Sequence, residues 1–185
     1  MNERTPPSAA TIWGLPATLA LGALLLDQLT KVWAVATLGP EPRSGELRLI
    51  GDWLSLHYIR NTGVAFGLFQ NLPQLFTITS IIITLGAIYA YRYHLPWRSP
   101  WIKISMGLIV GGALGNIIDR LRLGYVVDFI QVGWWPIFNL ADSAVSVGVT
   151  MLTLYLLLIG EEQPVRAVPE DDGLLSELLS REPDQ

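Results

Sequence analysis

Four long apolar runs alternate with polar segments, at about residues 13–36, 74–91, 101–121 and 139–160. Each is long enough to cross a bilayer as a helix. Taken as a helix, residues 13–36 span about 36 Å at 1.5 Å per residue, enough to cross with some tilt. The connections differ in kind. Gly39-Pro40-Glu41-Pro42 breaks the first helix. Glu46 to Ile50 and Trp53 to Arg60 read as strands joined across Gly51-Asp52, with Leu54, Leu56 and Tyr58 alternating against Ser55 and His57. Residues 92–103 are a tight connection, and 122–138 read as a short loop carrying the interfacial pair Trp134-Trp135. Residues 1–11 are polar and are expected to be disordered. Residues 161–185 form an acidic tail in which 173–182 is expected as a short amphipathic helix. The fold class is therefore an all-α polytopic membrane protein of four transmembrane helices. A small β-sheet/loop insertion at 39–73 lies between helices 1 and 2. Residues 1–160 form one domain, and 161–185 a flexible tail.

Composition supports that class and corrects one impression. The chain has 185 residues, 51% hydrophobic and 15% charged, outside the usual soluble range. Its net charge of −4 comes from the tail, where eight acids face only Arg166 and Arg181; residues 1–160 hold ten basic and eight acidic residues. No basic cluster points to nucleic acid. A signal-peptide reading of the first run, cut after Ala34-Val35-Ala36, is disfavoured because Asp27 and Lys31 interrupt the stretch and three more runs follow. The loop at 92–103 carries Arg92, Arg98 and Lys103 and no acid, which places it in the cytoplasm by the positive-inside rule. Both termini are then cytoplasmic, and 39–73 and 121–138 are outside. Over all segments, six basic residues fall on each side, so orientation rests on this one loop.

Polar residues inside or beside apolar runs are costly in hydrocarbon and mark function by default. Asp27 and Lys31, four apart, share a helix face and can pair; the alternative is a helix end with a snorkelling lysine. In the third run Gly107, Gly111 and Gly115 form a row that lets a neighbouring helix approach. A second row holds Gly112, Asn116 and Arg120, with Asp119 beside it. Asp119-Arg120 could instead cap the helix end. Asn61-Thr62-Gly63-Val64-Ala65-Phe66-Gly67 suggests close backbone approach. Asp128 lies in an apolar setting, Val126-Val127-Asp128-Phe129-Ile130. Asn139 suits a helix N-cap, with Asp142 in the first turn, where the dipole favours a carboxylate.

The chain has no cysteine, hence no thiol nucleophile or thiolate ligand, and no H-E-x-x-H zinc helix. A Ser-His-Asp site would need His57 to meet a serine, and a Ser–Lys dyad would need Lys31 to meet Ser55 or Ser143. The over-supplied group is aspartate near one membrane face. Two aspartates can hydrolyse a peptide bond through a water. One carboxylate takes the proton while the other, protonated, polarises the carbonyl, because like charges close together cannot both ionise cheaply. Asp128 and Asp142 are the expected pair, with no metal and no cofactor. Asn116, Arg120 and Asn139 orient them.

The chain resembles the lipoprotein signal peptidase (signal peptidase II) family. The motifs are LDQLTKVW (Leu26 to Trp33), RNTGVAFG (Arg60 to Gly67), GGALGNIIDR (Gly111 to Arg120), VVDFI (Val126 to Ile130) and FNLADS (Phe138 to Ser143). The resemblance implies an aspartic endopeptidase of the bacterial inner membrane, active at the outer face. It would cut prolipoproteins before the diacylglyceryl-modified cysteine. By motif it implies Asp128 and Asp142 as the catalytic pair and Asp27, Lys31, Asn61, Gly112, Asn116, Arg120, Asn139 and Ala141 in support. It further implies a small sheet that cradles the substrate, contact with membrane lipid and inhibition by globomycin-type peptides; the protein is expected as a monomer. The main rival is a small proton-coupled transporter with Asp27, Asp119, Asp128 and Asp142 as a relay. It would need acids near the midplane and an internal repeat. A membrane assembly protein built on the glycine rows would leave Asp128 unexplained. An intramembrane protease of unlipidated helices would need both acids inside helices.

Overall fold

The computed structural model describes residues 7–39, 45–63 and 73–159. The second half of the RNTGVAFG stretch and the acidic tail with its expected short helix lie outside the described residues. Four helices appear in order: α1 (Ala9–Leu38), α2 (Pro73–Tyr93), α3 (Pro100–Leu123) and α4 (Leu140–Leu158). All four are long and apolar enough to cross a membrane. Their ends follow local chemistry. The Ser8 side chain accepts from Thr11 N–H at the start of α1. Pro100 opens α3 as its first helical residue. Gly124, at φ +80°, closes it in the left-handed conformation that glycine adopts without cost. The third helix thus runs past Asp119 and Arg120, which do not cap it.

Helix α3 is the centre of the bundle: 56% of its apolar window is buried, against 11% in each of the other three. Small residues explain how it holds two neighbours closely. A Cβ at Gly107 would meet Leu19 and Pro16 of α1, and one at Gly111 would meet Ala20 and Ala23 of α1. One at Gly112 would run into the Ala141 carbonyl and Val145 of α4. One glycine row therefore seats α1 and Gly112 seats α4, as small residues do where helix packing must replace the hydrophobic effect. The outward faces of α1 and α2 present Leu25, Leu29, Val32, Ile82, Ile83 and Leu85, as a lipid-facing surface requires.

The sheet has three antiparallel strands in the order β1 (Leu47–Ile50), β2 (Leu54–Asn61), β3 (Val126–Val132). The hairpin turn falls at Gly51 to Trp53, close to expectation. The third strand corrects the loop reading of 122–138: this segment pairs with β2, from Leu54↔Val132 to Asn61↔Val126. The sheet is therefore not confined to the insertion between the first two helices. A second correction concerns the alternation read along 54–60. A bulge between Leu56 and Ile59 shifts the register, so Leu56, Ile59 and Asn61 pair with Ile130, Asp128 and Val126. Opposed residues share a face, so the extra residue brings Asn61 to the side of Asp128. Beyond β3, Phe138 exchanges backbone bonds with Ile130 (3.0 and 2.8 Å) and so sets Asn139 beside β3. Val127 and Phe129 pack with Ala34 and Leu38 at the end of α1, fixing the sheet over the bundle.

Candidate active site

Asp128 and Asp142 reach the site by different routes. Asp128 is carried by β3 and is 1% exposed. Its Oδ2 accepts from Asn61 Nδ2 at 2.7 Å and its Oδ1 from Asn139 Nδ2 at 2.7 Å. Asp142 lies in the first turn of α4 and forms a reciprocal capping box with Asn139. Asp142 N–H donates to Asn139 Oδ1 (2.9 Å), and Asn139 N–H donates to Asp142 Oδ2 (3.2 Å). Asn116 Nδ2 holds the other Asp142 oxygen at 2.8 Å. Asn139 thus touches both acids, and the local cap also aims a carboxylate at the site. Burial pushes the Asp128 carboxyl up to about 6, with the charge of Asp142 acting in the same direction and hydrogen bonds from Asn61 and Asn139 opposing it.

Behind the pair lies a buried ion cluster. The Lys31 ammonium is 2.9 Å from Asp27 Oδ2, 3.0 Å from Asp119 Oδ2 and 2.9 Å from Asn116 Oδ1, which uses its three donors. It does not snorkel, and it meets neither Ser55 nor Ser143. Because Asn116 turns its oxygen to Lys31 and to Asn139 Nδ2 (3.1 Å), its amide nitrogen faces Asp142. The lysine therefore orients Asp142 through one intermediate side chain. Asp27 Oδ1 accepts from Ala141 N–H at 3.0 Å, tying α1 to the first turn of α4. Asp119 Oδ2 accepts from Val127 N–H at 3.1 Å, tying α3 to β3. Gln28, which sequence reasoning passed over, donates to Asp27 (3.2 Å), to Asp119 (3.0 Å) and to the Gly115 carbonyl (3.3 Å). Its sequence signal is an amide inside an apolar helix, next to an acid. Arg120 is half-buried, within electrostatic reach of Asp142, Asp128 and Asp119.

Among the described residues no buried side-chain nitrogen or oxygen lacks a hydrogen-bond partner, so the network is closed. No three His, Cys, Asp or Glu side chains among them adopt a metal-holding arrangement. His57 does meet a serine, Ser55 Oγ at 2.7 Å from Nε2, but Glu46 approaches the same nitrogen at 3.6 Å. A triad needs the acid on the opposite ring nitrogen, so this is a sheet contact.

The order of these residues along the chain matches a known pattern. The sequence profile for "Signal peptidase (SPase) II" matches residues 19–158. The chain belongs to the signal peptidase II family. The lipoprotein signal peptidase of Moorella thermoacetica is 45% identical over 145 residues, covering 78% of this chain and 94% of that protein. That of Syntrophomonas wolfei is 44% identical over 142 residues, covering 76% and 91%. A solved structure described as "Bacterial membrane enzyme structure by the in meso method at 2.3 A resolution" aligns with a TM-score of 0.71 and 31% identity. It covers 84% of this chain and 94% of that one. Family membership makes the chain a protease, and with four membrane-capable helices it is a multi-pass membrane protein. The transporter reading finds no support among these relatives.

Proposed function

We propose that this signal peptidase is an aspartic endopeptidase that removes signal peptides from prolipoproteins, cutting before the diacylglyceryl-modified cysteine. The observation that carries the chemistry is the pair of aspartates bridged by Asn139. Asp128, buried and pushed up to about 6, carries the proton in the reactive form of the pair. Asp142, in the first turn of α4, is the partner that takes up the water's proton. The cluster holds four carboxyls and two cations, so one proton on the pair limits the excess negative charge. Asp142 takes a proton from water as the oxygen attacks the scissile carbonyl. Asp128 gives its proton to the carbonyl oxygen. On collapse, Asp142 passes its proton to the leaving amine, the C–N bond breaks, and Asp128 recovers the proton from the intermediate's hydroxyl.

Asp27, Lys31, Asn61, Gly112, Asn116, Arg120, Asn139 and Ala141 act in support, Arg120 by its charge, Gly112 by close helix approach and the others by hydrogen bonds and ion pairs. The catalytic unit is residues 1–160, active as a monomer, with both termini cytoplasmic in the bacterial inner membrane. The sheet lies outside, where exposed Trp53, Trp134 and Trp135 suit headgroup depth. The substrate's acyl chains then stay in the bilayer while its peptide bond meets water. Globomycin-type peptides compete for the same site. The test is cleavage of a diacylglyceryl-modified prolipoprotein by purified protein. Asp128→Asn and Asp142→Asn should each lose on the order of 10²–10⁴-fold in turnover while extracting and folding as wild type. Near-normal turnover by either variant would remove it from the pair.

A further inference from the structure

At the end of the bundle away from the aspartates, α1 and α2 meet where Tyr91 Oη donates to the Ile12 carbonyl at 2.6 Å and Trp13 packs edge-on against Tyr91. Beside that contact a groove of about 360 Å³ opens between α1, α2 and α3, lined by Trp13, Ala17, Leu21, Ile88, Met106 and Val110 among others. Its lining carries no charged side chain. The basic loop lies at the same end. Lys103, one turn before Met106, donates to the Thr11 carbonyl at 2.8 Å and sits 5.8 Å from the Trp97 ring, leaving ammonium donors for another acceptor. Arg92 and Arg98 lie exposed over Tyr93 and Trp97. The stretch 92–103 has no acid.

An apolar slot with three cations at the same end of the bundle fits a molecule that is hydrocarbon at one end and anionic at the other. A single extended acyl chain is slim enough to lie within a groove of about 360 Å³, whereas a helix about 10 Å across would enter only by its side chains, and the three cations at the same end favour an occupant with an anionic headgroup. We propose that the groove is a specific binding site for one anionic phospholipid of the leaflet on the 92–103 side, its acyl chain between α1 and α2 and its phosphate on Lys103 with Arg92 and Arg98. This site is separate from the aspartates and does not depend on the cleavage reading.

The experiment is native mass spectrometry of the full chain in mild detergent, titrated with phosphatidylglycerol or phosphatidylcholine. One phosphatidylglycerol should be retained in preference to phosphatidylcholine. Lys103→Gln should cut that preference about fivefold, the effect of one basic residue at an anionic headgroup. Ala17→Trp, which fills the groove from an exposed position, should cut retention of both lipids by about tenfold or more. Both variants should keep wild-type melting temperature and cleavage. A diazirine residue at position 17 supplies a readout independent of those variants and should form an adduct with phosphatidylglycerol. Equal retention of the two lipids, no effect of Ala17→Trp, or a peptide adduct at position 17 overturns the proposal. So does an anionic preference that appears only once residues 161–185 are removed, because the acidic tail would then be what the cations hold.

Discussion

Asp128 receives a hydrogen bond on each oxygen, from Asn61 and Asn139, yet its carboxyl is pushed up to about 6. Desolvation outweighs both donors, and that has a thermodynamic consequence. The folded pKa lies above the ordinary 3.8, so between about pH 4 and pH 6 the folded state holds more protons than the unfolded one. The stability this proton confers is complete below the unfolded pKa and is lost as pH rises through the folded one. Asp128→Asn removes the penalty of the buried charge. Its stability relative to wild type should therefore rise between pH 4 and pH 7, by up to about 3 kcal/mol, less the acceptor that one asparagine donor loses. Melting curves in detergent at several pH values read this directly, and a difference flat with pH would show that burial does not govern the group. Lys31 poses the opposite problem. It is 3% exposed and serves Asp27, Asp119 and Asn116 together. Lys31→Met strands two buried carboxylates and should cost about 3–5 kcal/mol, seen as a lower melting temperature, and should slow cleavage because Asn116 loses its orientation. An unchanged melting temperature would mean that the cluster is not a compensating network.

The helices were legible because windows of eighteen residues that are apolar on average leave few alternatives, and their capping residues obey local rules: Asn139 and Asp142 form the box their spacing suggests. Strand β3 was not legible. Its seven residues, VVDFIQV, place an acid where a buried strand should be apolar, and its partner Asn61 lies 67 residues away in sequence. Only that pairing makes the stretch a strand. The bulge in β2 was hidden for the same reason: register belongs to two strands, and a single strand reads as plain alternation. Among the site residues the acids and asparagines stood out because polar groups are costly in an apolar run, while Gln28 and the inward direction of Asp119 needed the packed helices. Gly112 shows packing that reaches the chemistry. Its missing Cβ leaves room for the Ala141 carbonyl and Val145 of α4, one residue from Asp142. Gly112→Ala must displace the start of α4. It should cut turnover more than about tenfold, since misplacing a reacting group by about 1 Å costs on the order of 10²-fold. Gly86→Ala on α2, where a Cβ meets nothing within 4 Å, should cleave as wild type. Equal activity of the two would show that the α3–α4 approach does not position Asp142.

At the scale of the whole molecule, the sheet and the aspartates occupy one end of the bundle and the basic loop with its tryptophans the other. The polarity of the protein in the membrane therefore reduces to a single choice. The proposed orientation puts Arg92, Arg98 and Lys103 on the cytoplasmic side by the positive-inside rule and so turns Asp128 and Asp142 outward, where an exported signal peptide would meet them. The chain has no cysteine, so a single introduced one reports its own side without background. Trp134→Cys, at a position 88% exposed at the tip of the sheet, should react with a membrane-impermeant maleimide in intact spheroplasts. Arg98→Cys should react only after lysis. The reverse pattern would put the aspartates in the cytoplasm, away from exported substrates, and the proposed reaction would then fail on topology even if both acids proved essential. Truncation after residue 160 tests the proposed catalytic unit. The family match ends at residue 158, and every contact described for the two acids lies before that point, so turnover of the shortened chain should stay within about twofold of wild type. A larger loss would place part of the active site's support in the acidic tail.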